Sequence, residues 1–500
     1  MMKRSISLLI LFLFALTSCQ TSTPSTQEEV PDIPFPDWGD RSALESSLIP
    51  LYQDILGEMP DATIYHLDLN INEDLIHISG QEEVRYTNQE SIALDEIYFH
   101  LMPNYLGEEM KISAVQVSGA DVDYSLEKQK TVLHIPLETP LGIGKSLIVK
   151  IDFQTTVPIE LETNYGILAS TEGILSLAHA YPMIAVYDDE GWNIDIPSAQ
   201  GDVTYLDMSF YLVRVNAPKD LVLVASGNEI THQSTNERQV ALYAAAPARD
   251  FYLAASEGYV HIQEDFGDYV INSYAPADLE KGAQMAMDAA AASIDLFSKK
   301  FAPYPYTEFD IVSTPTLALG IEYPGMTAIN IDLFDLSANF GGTPASIYLE
   351  STVVHEVGHQ WFYHLVGNDQ LDEPWLDESL TQYITWQYYL DEYGSNGGAG
   401  FAQSLNGRWQ RVDHAEVPLG LPVGEYSEGE YSAIIYGRGA FFFEALAEEM
   451  GEEVFDTFLA DYTQSQAWDI ASTESLREIA EKHCDCDLED LYATWIYPVE

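Results

Sequence analysis

Basic residues are scarce. Only 21 Lys and Arg accompany 80 Asp and Glu in 500 residues, a formal net charge of -59. So acidic a surface repels phosphate backbones, which excludes nucleic-acid binding driven by counterion release. It also disfavours anionic lipid surfaces and strongly acidic substrates. Cysteine is almost missing, with three in all, so no disulfide framework is available and stability must come from apolar cores. Beyond the N-terminal segment no run of about 20 apolar residues occurs, which excludes a later membrane-spanning helix. There is no internal repeat. There is also no Gly-rich phosphate loop, because Gly398-Ala399-Gly400 lies in a loop-like stretch without strand-to-helix context. What is present is 46% hydrophobic and 12% aromatic, too apolar for a disordered chain and long enough for two or three domains.

The start reads as an export segment. Lys3 and Arg4 precede the apolar run Ile6–Leu16, broken only by Ser7. About a dozen residues are too few to cross a bilayer and fit the central part of a secretory signal. The run ends in Leu16-Thr17-Ser18-Cys19, which resembles a bacterial lipobox. That resemblance implies a signal over 1–18, lipid on Cys19, and a protein anchored to a bacterial membrane by its lipid alone, facing outside the cytoplasm. An ordinary signal with an incidental cysteine is the alternative. Residues 19–58 begin with Ser, Thr, Pro and acids and are expected to form a solvated tether. Cys484 and Cys486 read as a surface turn, with a disulfide between them or a minor metal site as alternatives.

Two periodicities follow. Over 59–264, short alternating runs are separated by turn residues. Tyr65-His66-Leu67-Asp68-Leu69-Asn70-Ile71 is apolar at every second position. Strands without helical intervals predict an antiparallel β domain. Over 265–500 the pattern is mainly helical with a small sheet. Helices are expected at Gly282–Lys300, Pro344–Leu365, Leu376–Glu392, Gly437–Glu449, Glu453–Ser465 and Glu474–Lys482. The fold class is therefore multidomain, β followed by α/β.

The chemistry concentrates in the second region. His355-Glu356-Val357-Gly358-His359 places two histidines at i and i+4, one above the other on a helix face. With 12 histidines in 500 residues, chance supplies only about 0.03 such patterns. The alternative is a pair of unremarkable histidines, which the flanking apolar residues Val353, Val354, Trp361 and Phe362 argue against. Two imidazoles suit one Zn2+ with a position left for water, and Glu356 can take that water's proton. A third ligand is needed. A histidine six residues past His359 is excluded, because Leu365 stands there, and His364 lies about half a turn round from His359. A carboxylate on the following helix is available in Trp375-Leu376-Asp377-Glu378-Ser379. Glu378 is favoured, Asp377 points about 100° away, and Glu373 lies before the helix.

This set, H-E-x-x-H, 18 residues and Glu378, resembles the zinc aminopeptidase family that includes aminopeptidase N, the gluzincin type. Gly320-Ile321-Glu322-Tyr323-Pro324-Gly325 is similar to the family's Gly-x-Met-Glu-Asn strand. Ile435-Tyr436-Gly437-Arg438-Gly439 is similar to its Tyr-x-Lys-Gly segment, and Trp495-Ile496-Tyr497-Pro498 to its catalytic-domain ending. The resemblance covers roughly Thr63 to Pro498. It implies a saddle-like β domain, a thermolysin-like catalytic domain and one zinc per chain. The substrates would be peptides with a free N-terminus. Glu322 and the Gly320 backbone would hold the substrate, and Tyr436 would stabilise the oxyanion. Ile321, Tyr323, Asp377 and Arg438 depart from the usual residues and leave the first side-chain pocket open. The helical C-terminal domain of larger members is not expected here, so the site should be more open. A zinc endopeptidase with an open cleft and an inactive peptide-binding lipoprotein are the competing readings. Nothing in the sequence determines an oligomeric state.

Overall fold

The structure, a computed structural model, describes residues 33–105, 110–161, 164–427 and 429–497. The signal segment, Cys19, residues 19–32 of the expected tether and Pro498 lie outside the described residues.

Alternation of apolar residues builds the first domain. Its main sheet has eight strands in the order Asn228–Ser234, Arg238–Ala248, Ser209–Pro218, Thr63–Ile71, His77–Thr87, Ser146–Thr156, Met110–Val117 and Ala120–Asp121. Two four-stranded sheets and the short pair Tyr187–Asp188 with Gly191–Trp192 complete it. In Thr63–Ile71 the residues Tyr65, Leu67, Leu69 and Ile71 all enter one core with Val84, Val149 and Val213, as a period of two requires. One expectation is corrected. Thr63–Ile71 and Ser209–Pro218 pair in parallel, so the domain is not wholly antiparallel. The long excursion between them, which forms other strands, supplies the crossover that a parallel pair needs.

The expected tether is also corrected over its described part. Ile33 packs with Val240 and Leu242. Trp38 stacks on His66 with ring centres 3.7 Å apart. Leu44, Leu48 and Leu56 are buried in the large core of the second domain, and Ile49 N–H donates to Pro305 O at 3.0 Å. Ser, Thr and Pro obscured these spaced apolar anchors.

The second domain starts earlier than expected. Tyr259–Asp265 pairs with Val270–Pro276 and opens a five-stranded sheet, continued by Glu308–Thr314, Met326–Asn330 and the edge strand Gly320–Tyr323. Helix α1 (Glu280–Lys300) covers it through Ala283, Ala286, Met287, Ala290, Ile294 and Phe297, a stripe at helical spacing. Then come α2 (Ala345–Gly358), α3 (Glu378–Trp409), α4 (Gly439–Met450), α5 (Glu452–Ser465), α6 (Thr473–Cys484) and α7 (Glu489–Trp495).

Three local expectations change. Helix α2 stops at Gly358 rather than Leu365, and the next turns widen: His364, Leu365 and Val366 N–H donate to carbonyls five residues back, at 3.0, 3.2 and 2.9 Å. Helix α3 runs past Glu392, broken only at Gly394 with φ +66°, so Gly398-Ala399-Gly400 is helical rather than loop. Cys484 and Cys486 are joined by a disulfide. The turn reading holds as well, with Asp485 left-handed between them at φ +51°.

Arg249 ties the domains together. It is 1% exposed and donates to Leu206 O in its own domain at 2.9 Å. Across the boundary it donates to Tyr363 O at 2.7 Å and Asp469 O at 2.8 Å.

Candidate metal and peptide site

Helix α2 delivers His355 and His359 on one face, one turn apart, and the first residue of α3 delivers Glu378. The helix spacing of four sets the first pair. Asp377 sets the second element by accepting Glu378 N–H at 2.8 Å as the N-cap. His355 Nε2 and His359 Nε2 are 3.2 Å apart. Glu378 Oε2 lies 3.1 Å from the first and 3.5 Å from the second. Ligands about 2.0–2.1 Å from a tetrahedral zinc are themselves about 3.3 Å apart, so the three atoms fit one such ion. The outer contact of His359 fits as well. His359 Nδ1 donates to Phe362 O at 2.9 Å, which leaves Nε2 as the lone-pair nitrogen. His355 Nδ1 faces the Gln382 amide at 3.3 Å.

A second group overlaps the first, since Glu322 and Glu356 converge with His359. Gly320 explains how the edge strand comes so near. A Cβ there would stand 2.6 Å from Glu356 Oε1 and 2.7 Å from Thr352 Cγ2, so only glycine lets the strand lie on α2. Gly439 does the same on the other side, where a Cβ would collide with Ser379 Oγ at 1.9 Å. The π-helical turn Ile434–Arg438 therefore packs tightly on α3. Ser379 Oγ donates to Ile435 O at 2.8 Å, and the Tyr436 hydroxyl reaches Glu378 Oε1.

Against this geometry, residues 285–495 match the model of the peptidase family M1 domain. That stretch is a peptidase family M1 domain. Among curated relatives, aminopeptidase M1-B of Oryza sativa subsp. japonica is 26% identical over 323 residues, 58% of this chain and 34% of that protein. Probable aminopeptidase 1 of Sulfurisphaera tokodaii is 21% identical over 454 residues, 87% of this chain and 53% of that protein. The chain thus spans about a third of the length of the plant relatives it matches and about half of the archaeal one. A crystal structure of a mutant M1 zinc metallopeptidase from Deinococcus radiodurans bound to a Tyr-Ser-Ala substrate superposes with a TM-score of 0.64. It is 19% identical and covers 87% of this chain and 94% of that one. The unsubstituted enzyme gives 0.63 at 20% identity over 88% and 93%. The two-domain arrangement, β then helical, is shared with these structures.

The M1 domain and the β domain together enclose a cavity of about 860 Å³ above the ligand cluster. The candidates Gly320, Glu322, His355, Glu356, Glu378 and Tyr436 all line it. His359 lies beneath at 0% exposure. Burial opposes charge on His359, but Glu322 and Glu378 outweigh it and push the imidazole well up. Burial pushes His355 down. Burial and the Glu322 charge push Glu356 well up. Burial also tends to raise Glu378, yet the two imidazoles hold it well below the usual carboxylate range. Burial and Glu378 push the Tyr436 hydroxyl far up, which keeps it a proton donor across the accessible pH range.

The rival ligand candidates fall elsewhere. Asp377 caps α3, accepts from Gln370 at 2.9 Å, and is pushed up to about 7 by burial and Glu378. Glu373 accepts Thr473 N–H at 3.0 Å near the start of α6. His364 is fully buried away from the cluster, with neither ring nitrogen hydrogen-bonded. Tyr431 also lines the cavity, with its ring 5.8 Å from that of Tyr436. Tyr323 stacks on Tyr252 at 4.0 Å, outside the cluster. Arg438 is buried and donates to Val417 O and Trp495 O, both at 3.1 Å.

Sequence reasoning missed several wall residues. Asp202 comes from the β domain, and burial and Glu322 push its carboxyl well up. Gln370 donates to Glu322 Oε1 at 3.2 Å and so orients it. His179 and Asp250 pair at 3.1 Å, both buried. Arg408 lines the far end of α3. None carries a local motif, and a lone Asp, Gln or Arg in a strand-rich or helical stretch gives no signal until the domains close.

Proposed function

We propose that this chain is a zinc-dependent aminopeptidase releasing N-terminal residues from peptides. The observation that carries the reading is the convergence of His355 Nε2, His359 Nε2 and Glu378 Oε2 within 3.1–3.5 Å of one another. Glu356 and Glu322 lie beside them in the same cavity. The M1 domain match and the aminopeptidase relatives support it. A bound zinc supplies Lewis acidity, polarising the scissile carbonyl and lowering the pKa of the attacking water. Glu356 accepts the proton from that water and delivers it to the leaving amine. Tyr436 donates to the oxygen on which negative charge develops, a contact that strengthens toward the transition state. Glu322, held by Gln370, pairs with the α-ammonium and so selects the first peptide bond. The strand Gly320–Tyr323 is a sheet edge, and its free backbone groups can pair with an extended substrate.

The test compares a peptide with its N-acetylated form, with and without a chelator. The free peptide should be cleaved at its first bond, the acetylated one at least about a hundredfold more slowly, and the chelator should stop both. Equal cleavage of the two would make the protein an endopeptidase. Cys19 belongs to the same proposal as the lipid-bearing residue of an exported, membrane-anchored protein, supported by Leu16-Thr17-Ser18-Cys19. Cys19→Ser should shift the protein from the membrane to the soluble fraction.

A further inference from the structure

The proposed reaction makes no use of Arg408. Six carboxylates line the cavity (Asp202, Asp250, Glu322, Glu350, Glu356 and Glu378), whereas Arg408 is the single Lys or Arg on its described wall. The two fully buried arginines are occupied. Arg249 donates to three backbone carbonyls, and Arg438 does the same while stacking on Trp495 at 4.3 Å. Arg408 forms no ion pair with a described carboxylate, and its guanidinium sits 5.7 Å from the centre of the Tyr436 ring. A half-buried guanidinium stays charged and is costly to leave without an anion.

The position matches one end of a small substrate. Glu322 lies with Glu356 beside His359, whereas Arg408 lies with Tyr436, whose ring is 6.0 Å from that of His355. Positive and negative recognition groups thus sit beside different members of the ligand cluster. Through Tyr436 the guanidinium is within roughly 12 Å of the His355 imidazole, the span of three to four extended residues at most. Guanidinium binds carboxylate through two parallel N–H donors.

We infer that Arg408 binds the C-terminal carboxylate of short peptides, so that the cavity reads both ends of substrates two to four residues long. The inference rests on the aminopeptidase reading. A carboxylate on the second residue's side chain has the same chemistry, and the experiment separates the two.

The experiment measures kcat/KM for Leu-Gly-Gly, its C-terminal amide, Leu-Glu-Gly amide and N-acetyl-Leu-Gly-Gly, with the wild type, Arg408→Gln and Arg408→Lys. The free acid should exceed its amide by about tenfold or more, the lower end for a charge-assisted hydrogen bond. That ratio should fall to near one in Arg408→Gln and recover in part in Arg408→Lys. Lengthening the peptide beyond four residues should also remove the advantage of the free acid. An equal loss on acid and amide in Arg408→Gln would mean that Arg408 acts through Tyr436, and would overturn the inference. So would a Leu-Glu-Gly amide as fast as the free acid. Cleavage of the acetylated peptide would defeat the aminopeptidase reading instead. If no peptide were turned over, calorimetric binding of Leu-Gly-Gly and its amide to Glu356→Gln would decide, equal affinities overturning the inference.

Discussion

Glu82 in the β domain and Glu378 in the M1 domain are both buried glutamates, and they behave in opposite ways. Glu82 is 0% exposed and neither of its carboxylate oxygens has a hydrogen-bond partner. Burial alone pushes it well up, toward the neutral acid. Glu378 is 3% exposed, but two imidazoles and a tyrosine hydroxyl surround it and keep it ionised. Burial is common to both. The neighbouring groups decide the charge, and they are gathered in the M1 domain alone. The β domain adds walls to the cavity through Asp202, His179 and Asp250, while the M1 domain adds the ligand cluster.

The contrast can be broken most severely at the proton carrier. Glu356→Gln keeps the shape of the cluster and removes the base, so kcat should fall by roughly 10²–10⁴-fold while one zinc per chain remains bound by elemental analysis. A rate near wild type would remove Glu356 from the chemistry. The domain junction comes next. Arg249→Met strands three buried carbonyls and should cost about 3 kcal/mol by denaturant titration. A loss below about 1 kcal/mol would show that the two domains hold together without it. The smallest effect sharpens the contrast itself. Glu82 has a folded pKa above its unfolded value of about 4.3. Its contribution to stability is therefore full below that value and is lost as pH rises through the folded pKa. Glu82→Gln cannot ionise, so its stability relative to wild type should grow with pH, reaching about 1 kcal/mol or more at pH 8. A difference that stays constant between pH 5 and pH 8 would show that the folded Glu82 is not raised above its unfolded value.

Legibility in the sequence followed the range of the interaction. His355, Glu356 and His359 are set by one helical turn, and strands such as Thr63–Ile71 by a two-residue alternation, so both were readable. The end of α2 was not. Apolar residues continue through Trp361, Phe362 and Leu365, and that pattern does not distinguish a helix from the wider turns that replace it. The start of the second domain was misplaced because Tyr259–Asp265 looks like any other β-domain strand, and only its pairing assigns it. The segment from Ile33 to Glu58 was misread because a few anchors, Leu44, Leu48 and Leu56, sit among residues of tether-like composition.

The sequence alone specified the order of the two domains, the donor types around a metal, and the helical spacing that aligns two imidazoles. Those features depend on covalent neighbours and on periods of two and 3.6 residues. Folding in three dimensions determined that Tyr436 reaches Glu378, that Gln370 steadies Glu322, and that Arg408 shares a wall with carboxylates from both domains. Such encounters join residues far apart in the chain. They exist only once glycines such as Gly320 and Gly439 allow the backbones to close on one another.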